Sequence, residues 1–336
     1  MPFVRTSARA TVGHIPRRPG RALTLLSATL LVAACTTSGS SGGSQDLTVA
    51  VVPGVDTAPL AIAVKDGLFG RAGITVTVKQ VSSTAQAYKD LLNGSANVAA
   101  GDYAAFFYGI AASGQRLKLV ADGYDAGSGT MQILTLPNSG ITTPADLAGK
   151  TVGTTSSQVA PFSNNFPYNI GTLAAESVLQ SDGVIPASVF WRELPVSQMI
   201  GALSSHQVDA ILVTEPQLTQ AEMKLGAVEL VDACSGVTAN LPLTGYFSTA
   251  SQASQNSSSL TAFQTALATA EGDAADRSTV ESTLTGEHIT TEDAALVNLG
   301  QYPTFLNVGQ IQRIADLMYS SGMITSPVSV ANLRIK

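Results

Sequence analysis

The sequence contains few cysteines, few histidines and few charged residues. Its 336 residues include two Cys and three His, all far apart, which argues against a disulfide scaffold, a zinc ribbon or an iron–sulfur protein. Charged residues make up 12% and the formal net charge is −6, whereas a nucleic-acid-binding protein needs a basic surface. No apolar run reaches the roughly 18 residues of a membrane span. The chain is long enough for two lobes, and its 45% of hydrophobic residues predicts a globular protein with a sizeable core.

The basic residues are concentrated near the N-terminus. Residues 1–34 contain five Arg and no Asp or Glu, and the apolar stretch 22–34 ends in small residues just before Cys35. A basic head, a short apolar middle and small residues at the end are typical of a secretory signal. Together with Cys35 the stretch resembles a bacterial lipobox, which implies cleavage before Cys35 and attachment of a lipid to its sulfur. The alternative is an ordinary signal peptide that happens to contain a Cys.

The predicted mature chain is therefore extracytoplasmic and anchored to the outer face of the cell membrane. Residues 1–34 form the signal peptide, and residues 35–45 carry the lipidated Cys and a flexible Gly/Ser tether. Thirteen of the 18 basic residues remain after residue 34, against 24 acidic ones, so the mature charge is near −11. No cofactor and no metal site is expected.

Short apolar runs alternate with helical stretches after the tether, which is typical of an α/β protein with mainly parallel sheets. We predict two strand–helix series, each forming a mixed sheet flanked by helices, with helices dominating after residue 260. Two chain crossings between the series predict a bilobal protein with a hinge. The predicted lobe 1 comprises residues 46–130 and 245–336, the predicted lobe 2 comprises residues 137–241, and the hinge crossings are residues 131–136 and 242–244.

Four segments carry a family resemblance. They are residues 59–73 (PLAIAVKDGLFGRAG), 91–99 (LLNGSANVA), 146–153 (DLAGKTVG) and 202–216 (ALSSHQVDAILVTEP). Their order and spacing resemble the solute-binding proteins of the nitrate/sulfonate/taurine and thiamine-pyrimidine (NMT1/THI5-like) group, over about residues 47–322. Asn97 stands where this group usually has Asp, and Ser205 or His206 where Gly is common. The resemblance implies a type II periplasmic-binding fold that delivers a small solute to the permease and ATPase of an ABC importer.

Open α/β sheets bind ligands outside the carboxyl ends of their strands, where helix N-termini add unsatisfied N–H groups. Strand-to-helix edges are predicted at residues 56–57, 82–84, 102–103, 155–157 and 214–215. The candidate ligand-binding residues are Thr57, Ser83, Thr84, Asp102, Tyr103, Tyr124, Ser156, Ser157, Glu215 and Tyr246. Helix capping alone would explain Ser83, Thr84 and Asp102, and a first-turn helix acid would explain Glu215. Core or rim packing would explain the three tyrosines.

The charged residues at these edges indicate which class of ligand the site binds. No Lys or Arg falls at an edge, and the nearest are Lys150 and Arg192, whereas a tightly bound sulfonate would often use an Arg fork. Asp102 and Glu215 suit a neutral or cationic nitrogen-containing solute. The sequence therefore favours a small polar organic solute, a pyrimidine or amine ahead of a sulfonate or nitrate, bound by a monomer.

Two other functions are compatible with the pattern. One is a lipoprotein that senses a solute without feeding a transporter. The other is an enzyme, since thiamine-pyrimidine synthases share the implied fold, but they carry a Cys-rich motif that is absent here. We therefore expect a binding protein and no enzyme.

Overall fold

The computed structural model describes residues 45–155, 169–286 and 289–335. The predicted signal peptide, Cys35 and almost all of the tether lie outside these residues, as do Ser156 and Ser157. The described part contains two five-stranded sheets. Within it, no helix has the length and apolar character needed to cross a membrane.

The first sheet has the strand order β2-β1-β3-β10-β4, and we call it, with its helices, lobe 1. Its strands are β1 (Gln45–Val51), β2 (Ile74–Gln80), β3 (Val98–Asp102), β4 (Leu117–Asp125) and β10 (Pro242–Thr249). Strand β1 pairs parallel with β2 and β3, while β10 runs antiparallel between β3 and β4. The alternation of Ile74, Val76 and Val78 with polar residues correctly predicts strand β2.

The second sheet has the order β7-β6-β8-β5-β9 and defines lobe 2. Its strands are β5 (Met131–Thr135), β6 (Thr151–Thr154), β7 (Phe190–Glu193), β8 (Ala210–Thr214) and β9 (Val228–Asp232). Strand β6 pairs parallel with β7 and β8, and β5 runs antiparallel between β8 and β9. Two mixed sheets with helices around them confirm the predicted fold class.

The helices of the described residues flank both sheets. They are α1 (Ala58–Lys65), α2 (Leu68–Arg71), α3 (Thr84–Leu92), α4 (Tyr103–Ser113), α5 (Ile170–Ser181), α6 (Met199–Ser204), α7 (Gln217–Leu225), α8 (Ala250–Gln255), α9 (Ser257–Asp273), α10 (Arg277–Gly286), α11 (Thr291–Leu296) and α12 (Val308–Ser320). Their ends follow from sequence: Asp102 caps the start of α4, and Gly114 ends it with a φ of 64°.

The predicted hinge crossings need correction. Residues 131–135 form strand β5, whose backbone pairs along its full length with β8 inside the second sheet. Residues 242–244 begin β10, where Pro242 and Thr244 pair with β4 in the first sheet. Because both segments are paired within a sheet, the links between the sheets are residues 126–130 and 233–241.

Aromatic rings fill much of the lobe 1 core. Phe106 of α4 stacks on Phe247 of β10 with ring centroids 4.1 Å apart, and Phe69 stacks on Phe263 of α9 at 5.3 Å. Asn97 ties β1 to α8, because it accepts from the Thr48 N–H at 2.8 Å and donates to Gln252 at 3.1 Å. The amide at this position therefore has a structural use that an Asp would not provide.

Candidate functional site

A cavity of about 950 Å³ lies between the two sheets. The segments after β1, β2 and β3 line it from lobe 1, and the segments after β6, β7 and β8 line it from lobe 2. These are the carboxyl ends of strands in both sheets, where α/β proteins bind ligands. The volume lies within the range of small-molecule sites, roughly 300–1,000 Å³.

Six of the predicted site residues line this cavity: Thr57, Ser83, Thr84, Asp102, Tyr124 and Glu215. Two others, Ser156 and Ser157, lie outside the described residues. The remaining two, Tyr103 and Tyr246, do not line the cavity, and this part of the prediction is wrong. Tyr103 is fully buried and donates to the Asp122 carboxylate at 2.7 Å, while the Tyr246 ring packs edge-on against Phe263 in the lobe 1 core.

Thr57 and Ser83 of lobe 1 have local hydrogen-bond partners, and Thr84 packs against the sheet. Ser83 Oγ accepts from the Gln86 N–H at 3.2 Å and so caps α3. Thr57 Oγ1 donates to the Val52 carbonyl at 3.1 Å and accepts from the Gly54 N–H at 3.1 Å. Thr84 lies directly against Gly101 of β3, where a Cβ would stand 2.6 Å from Thr84 Cγ2. The absence of a side chain at Gly101 therefore lets α3 begin close to the sheet.

Asp102 contacts both lobes. Its Oδ1 accepts from the Ala104 N–H at 2.7 Å and the Ala105 N–H at 3.4 Å, which caps α4 as predicted. Its Oδ2 accepts from the Ile170 N–H at 2.9 Å, at the first residue of α5 in lobe 2. One carboxylate thus binds two helix N-termini across the cleft.

Glu215 also contacts both lobes. Its Oε1 accepts from the Thr219 hydroxyl at 3.0 Å and from the backbone N–H of Asn298, in lobe 1, at 2.9 Å. Its Oε2 accepts from the Thr219 N–H at 3.1 Å, within the first turns of α7. Burial raises the pKa of Glu215, and these donors act in the opposite direction.

Asp56 is a cavity residue that the sequence analysis did not select, although it lies at a predicted strand-to-helix edge. Its Oδ2 accepts from the Thr244 hydroxyl at 2.6 Å, and burial raises the pKa of this carboxyl. The neighbouring Gly54 has a φ of 176°, an extended conformation open to any residue. A Cβ at Gly54 would stand 3.0 Å from Asp56 Oδ1, so the glycine keeps the space beside this oxygen open.

Tyr124 also lines the cavity, and contacts within lobe 1 fix its position. Its hydroxyl accepts from the Gly300 N–H at 2.6 Å, and its ring lies 5.3 Å from that of Tyr302. Burial raises the pKa of Tyr124, and the nearby carboxylates of Asp56 and Glu215 add to this shift. The phenol is therefore neutral and acts through hydrogen bonds.

The described lining of the cavity is acidic. It contains Asp56, Asp102, Glu193 and Glu215, and it contains no Lys, Arg or His. The undescribed residues 156–168 also include no Lys, Arg or His in their sequence. The described residues contain no group of three or more His, Cys, Asp or Glu arranged to hold a metal ion. The site therefore offers carboxylates, hydroxyls and backbone groups to a ligand.

A second set of acids lies in the core of lobe 1. Asp122 and Asp125 of β4 and Glu271 of α9 are each at most 6% exposed. Burial raises the pKa of Asp122 to about 6, of Asp125 to about 7 and of Glu271 to about 9, with mutual repulsion adding to the last two. These carboxyls affect stability and do not line the cavity.

The architecture defines the class of protein. Two mixed five-stranded sheets joined by two links, with a cavity between them, form the type II periplasmic-binding fold. The model of the family described as NMT1/THI5 like matches residues 55–279, about two thirds of the sequence. The chain belongs to the NMT1/THI5-like family, which confirms the family resemblance inferred from its motifs.

Solved structures agree on the fold. The chain is similar to the alkanesulfonate-binding protein SsuA from Xanthomonas axonopodis pv. citri bound to MOPS, with 18% identity, coverage of 86% of this chain and 97% of that chain, and a TM-score of 0.69. It is also similar to the periplasmic nitrate-binding protein NrtA from Synechocystis PCC 6803, with 15% identity, coverage of 87% of this chain and 85% of that chain, and a TM-score of 0.71. A third similar structure is the desulfurization enzyme DSZB, with 16% identity, coverage of 86% of this chain and 96% of that chain, and a TM-score of 0.61. No curated protein sequence matches the chain.

Proposed function

We propose that this chain is the solute-binding component of an ABC import system and holds a small solute between its two lobes. The observation that carries the proposal is the cavity between the sheets, lined by the carboxyl ends of strands from both. A ligand that contacts both lobes favours their closed arrangement through the contacts it makes only there. Family membership and the folds of the sulfonate- and nitrate-binding proteins support the same function.

The charge of the lining supports a solute with a basic or hydrogen-bond-donating nitrogen, such as an amine or an aminopyrimidine. Asp102 and Glu215 each accept three or more protein hydrogen bonds, whereas Thr244 binds one oxygen of Asp56 and Gly54 leaves room beside the other. Asp56 is therefore the carboxylate that binds this nitrogen. A sulfonate or nitrate would meet four carboxyl groups and no base on the described lining.

The predicted lipid anchor at Cys35 and the partnership with a permease belong to the same proposal. A protein tethered outside the membrane by a flexible segment remains close to the permease that it serves. Metabolic labelling of the expressed chain with a radioactive fatty acid tests the anchor. Incorporation that Cys35→Ala abolishes is expected, whereas unlabelled wild-type protein would contradict the anchor.

A thermal-shift screen tests the class of solute. The probes are the hydroxymethyl aminopyrimidine of thiamine, ethylammonium, ethanesulfonate and nitrate. A compound present at 100 times its Kd adds about 2.7 kcal/mol, which raises Tm by roughly 4 °C for a chain of this size. We expect a nitrogen compound to raise Tm in the wild type and not in Asp56→Asn. Stabilisation by ethanesulfonate or nitrate, with none by the nitrogen compounds, would contradict the proposed class.

The fold shared with DSZB makes an enzymatic function the alternative to test. Incubation of the chain with any stabilising compound, followed by mass spectrometry, separates the two functions. We expect the compound to be recovered unchanged. Product formed at a rate proportional to the protein concentration would favour an enzyme.

A further inference from the structure

The carboxylate of Asp102 is shared between two helices that belong to different lobes. Its Oδ1 binds the N–H groups of Ala104 and Ala105 at the start of α4, and its Oδ2 binds the Ile170 N–H at the start of α5. Helix α4 has 11 residues and α5 has 12, so each presents a positive dipole end and unsatisfied N–H groups. A negative charge between two such ends stabilises both.

The contact differs from the capping of α3 by Ser83 and from the capping of α5 by Asn169. Ser83 caps α3 with a donor three residues away, and Asn169 caps α5 with the nearby Thr172 N–H at 2.8 Å. Asp102 and Ile170 are 68 residues apart: Asp102 ends β3 of lobe 1, and Ile170 begins α5 of lobe 2. Hydrogen bonds from N–H groups to a carboxylate are about twice as strong as those between neutral groups. The contact therefore joins the two lobes through a charge-assisted hydrogen bond.

We propose that Asp102 is a positioning residue that latches lobe 1 to lobe 2 through the N-terminus of α5. Both ends of the contact are protein atoms, so the latch forms without a solute. It fixes the width of the cavity between β3 and α5, and it gives the Ile170 N–H the negative partner that an oxyanion would otherwise supply. This inference goes beyond solute transport and does not depend on the identity of the solute.

The variant Asp102→Asn tests the latch. Asn is as good a helix cap as Asp, so α4 keeps its cap. When the amide oxygen of the new side chain accepts from the N–H groups of α4, the NH₂ group of the same side chain faces the Ile170 N–H. Both of these groups are donors, so the contact between the lobes is lost. With no solute added, we expect hydrogen exchange at the Ile170 amide, measured by NMR, to accelerate about tenfold or more. We also expect a larger radius of gyration in small-angle X-ray scattering.

Asp146→Asn is the matched control. Asp146 is also a capping aspartate, and it accepts from the Thr142 and Thr143 N–H groups at 3.0 and 2.8 Å, all within lobe 2. Its loss weakens one turn and breaks no contact between the lobes. We therefore expect this variant to have the wild-type radius of gyration and wild-type exchange at Ile170.

A second pair of variants changes the other end of the contact. Ile170→Pro removes the donor N–H at the first helical position, where Pro is well tolerated, and the preceding Asn169 has the extended conformation that precedes Pro (φ −145°, ψ 168°). Ile170→Ala truncates the same side chain and keeps the N–H. We expect Ile170→Pro to increase the radius of gyration as Asp102→Asn does, and Ile170→Ala to leave it unchanged. The double variant Asp102→Asn/Ile170→Pro should have no larger radius of gyration than either single variant.

The outcomes separate clearly. An Asp102→Asn chain with wild-type exchange at Ile170, or with faster exchange and no expansion, overturns the latch. Equal radii of gyration for Ile170→Pro and Ile170→Ala would also overturn the latch. Should Asp102→Asn fail to fold, as judged by its melting curve, the Ile170 pair decides the question. Because no solute or importer enters the experiment, failure of the latch and failure of the proposed transport function are distinguishable.

Discussion

Replacing Glu271 with Gln should change how the stability of this protein depends on pH. Glu271 is 4% exposed, and burial among the carboxyls of Asp122 and Asp125 raises its pKa from 4.5 to about 9. Between these two values the folded chain keeps the proton and the unfolded chain releases it. The stability contributed by this proton is therefore complete below about pH 4.5 and is lost as the pH rises toward 9. One such group lowers the free energy of unfolding by about 1.4 kcal/mol per pH unit.

The assay is urea denaturation followed by far-UV circular dichroism at pH 5.5 and pH 8. Gln does not titrate, so the loss of stability between these pH values should be about 3 kcal/mol smaller in Glu271→Gln than in the wild type. Any fixed cost of the amide is the same at both pH values and cancels in this comparison. Glu292→Gln, at an exposed position in the first turn of α11, should behave like the wild type. Parallel pH dependence for Glu271→Gln and the wild type would show that Glu271 keeps no extra proton in the folded chain.

Three further variants test the site and the fold. Gly54→Ala should weaken binding of the stabilising compound about tenfold in calorimetry, because the new Cβ would stand 3.0 Å from Asp56 Oδ1, and unchanged affinity would contradict the site. Phe247→Ala should cost about 3–5 kcal/mol in urea unfolding because it removes the ring stacked on Phe106, and a loss below 1 kcal/mol would be inconsistent with this packing. Asn97→Asp should cost about 1 kcal/mol in the same assay, because the donor to Gln252 is lost, and a more stable variant would contradict this role.

Strand–helix alternation was sufficient to predict the fold class, because strand and helix patterns are local. The position of the hinge was not predictable in the same way. Strand β5 is buried along its full length, so its sequence shows no alternation. The partners that place it in the second sheet, β8 and β9, lie far away in the sequence.

In the candidate site too, contacts between sequence neighbours could be predicted, whereas contacts between distant segments could not. The capping of α4 by Asp102 follows from its position before a helix, but its bond to Ile170 depends on how the two lobes meet. Tyr103 is adjacent to Asp102, yet its side chain points into the lobe 1 core and donates to Asp122. The pattern of strands and helices predicts acidic residues at the edges of the sheets, whereas only the fold shows that Gly54 leaves room beside one oxygen of Asp56.

A crystal structure of the chain soaked with the compound that stabilises it most shows directly where the solute binds. We predict density for that compound between the two sheets, with a nitrogen within hydrogen-bonding distance of Asp56 Oδ1. A compound bound outside the cleft would rule out the proposed site, and an oxyanion bound within it would rule out the proposed class of solute.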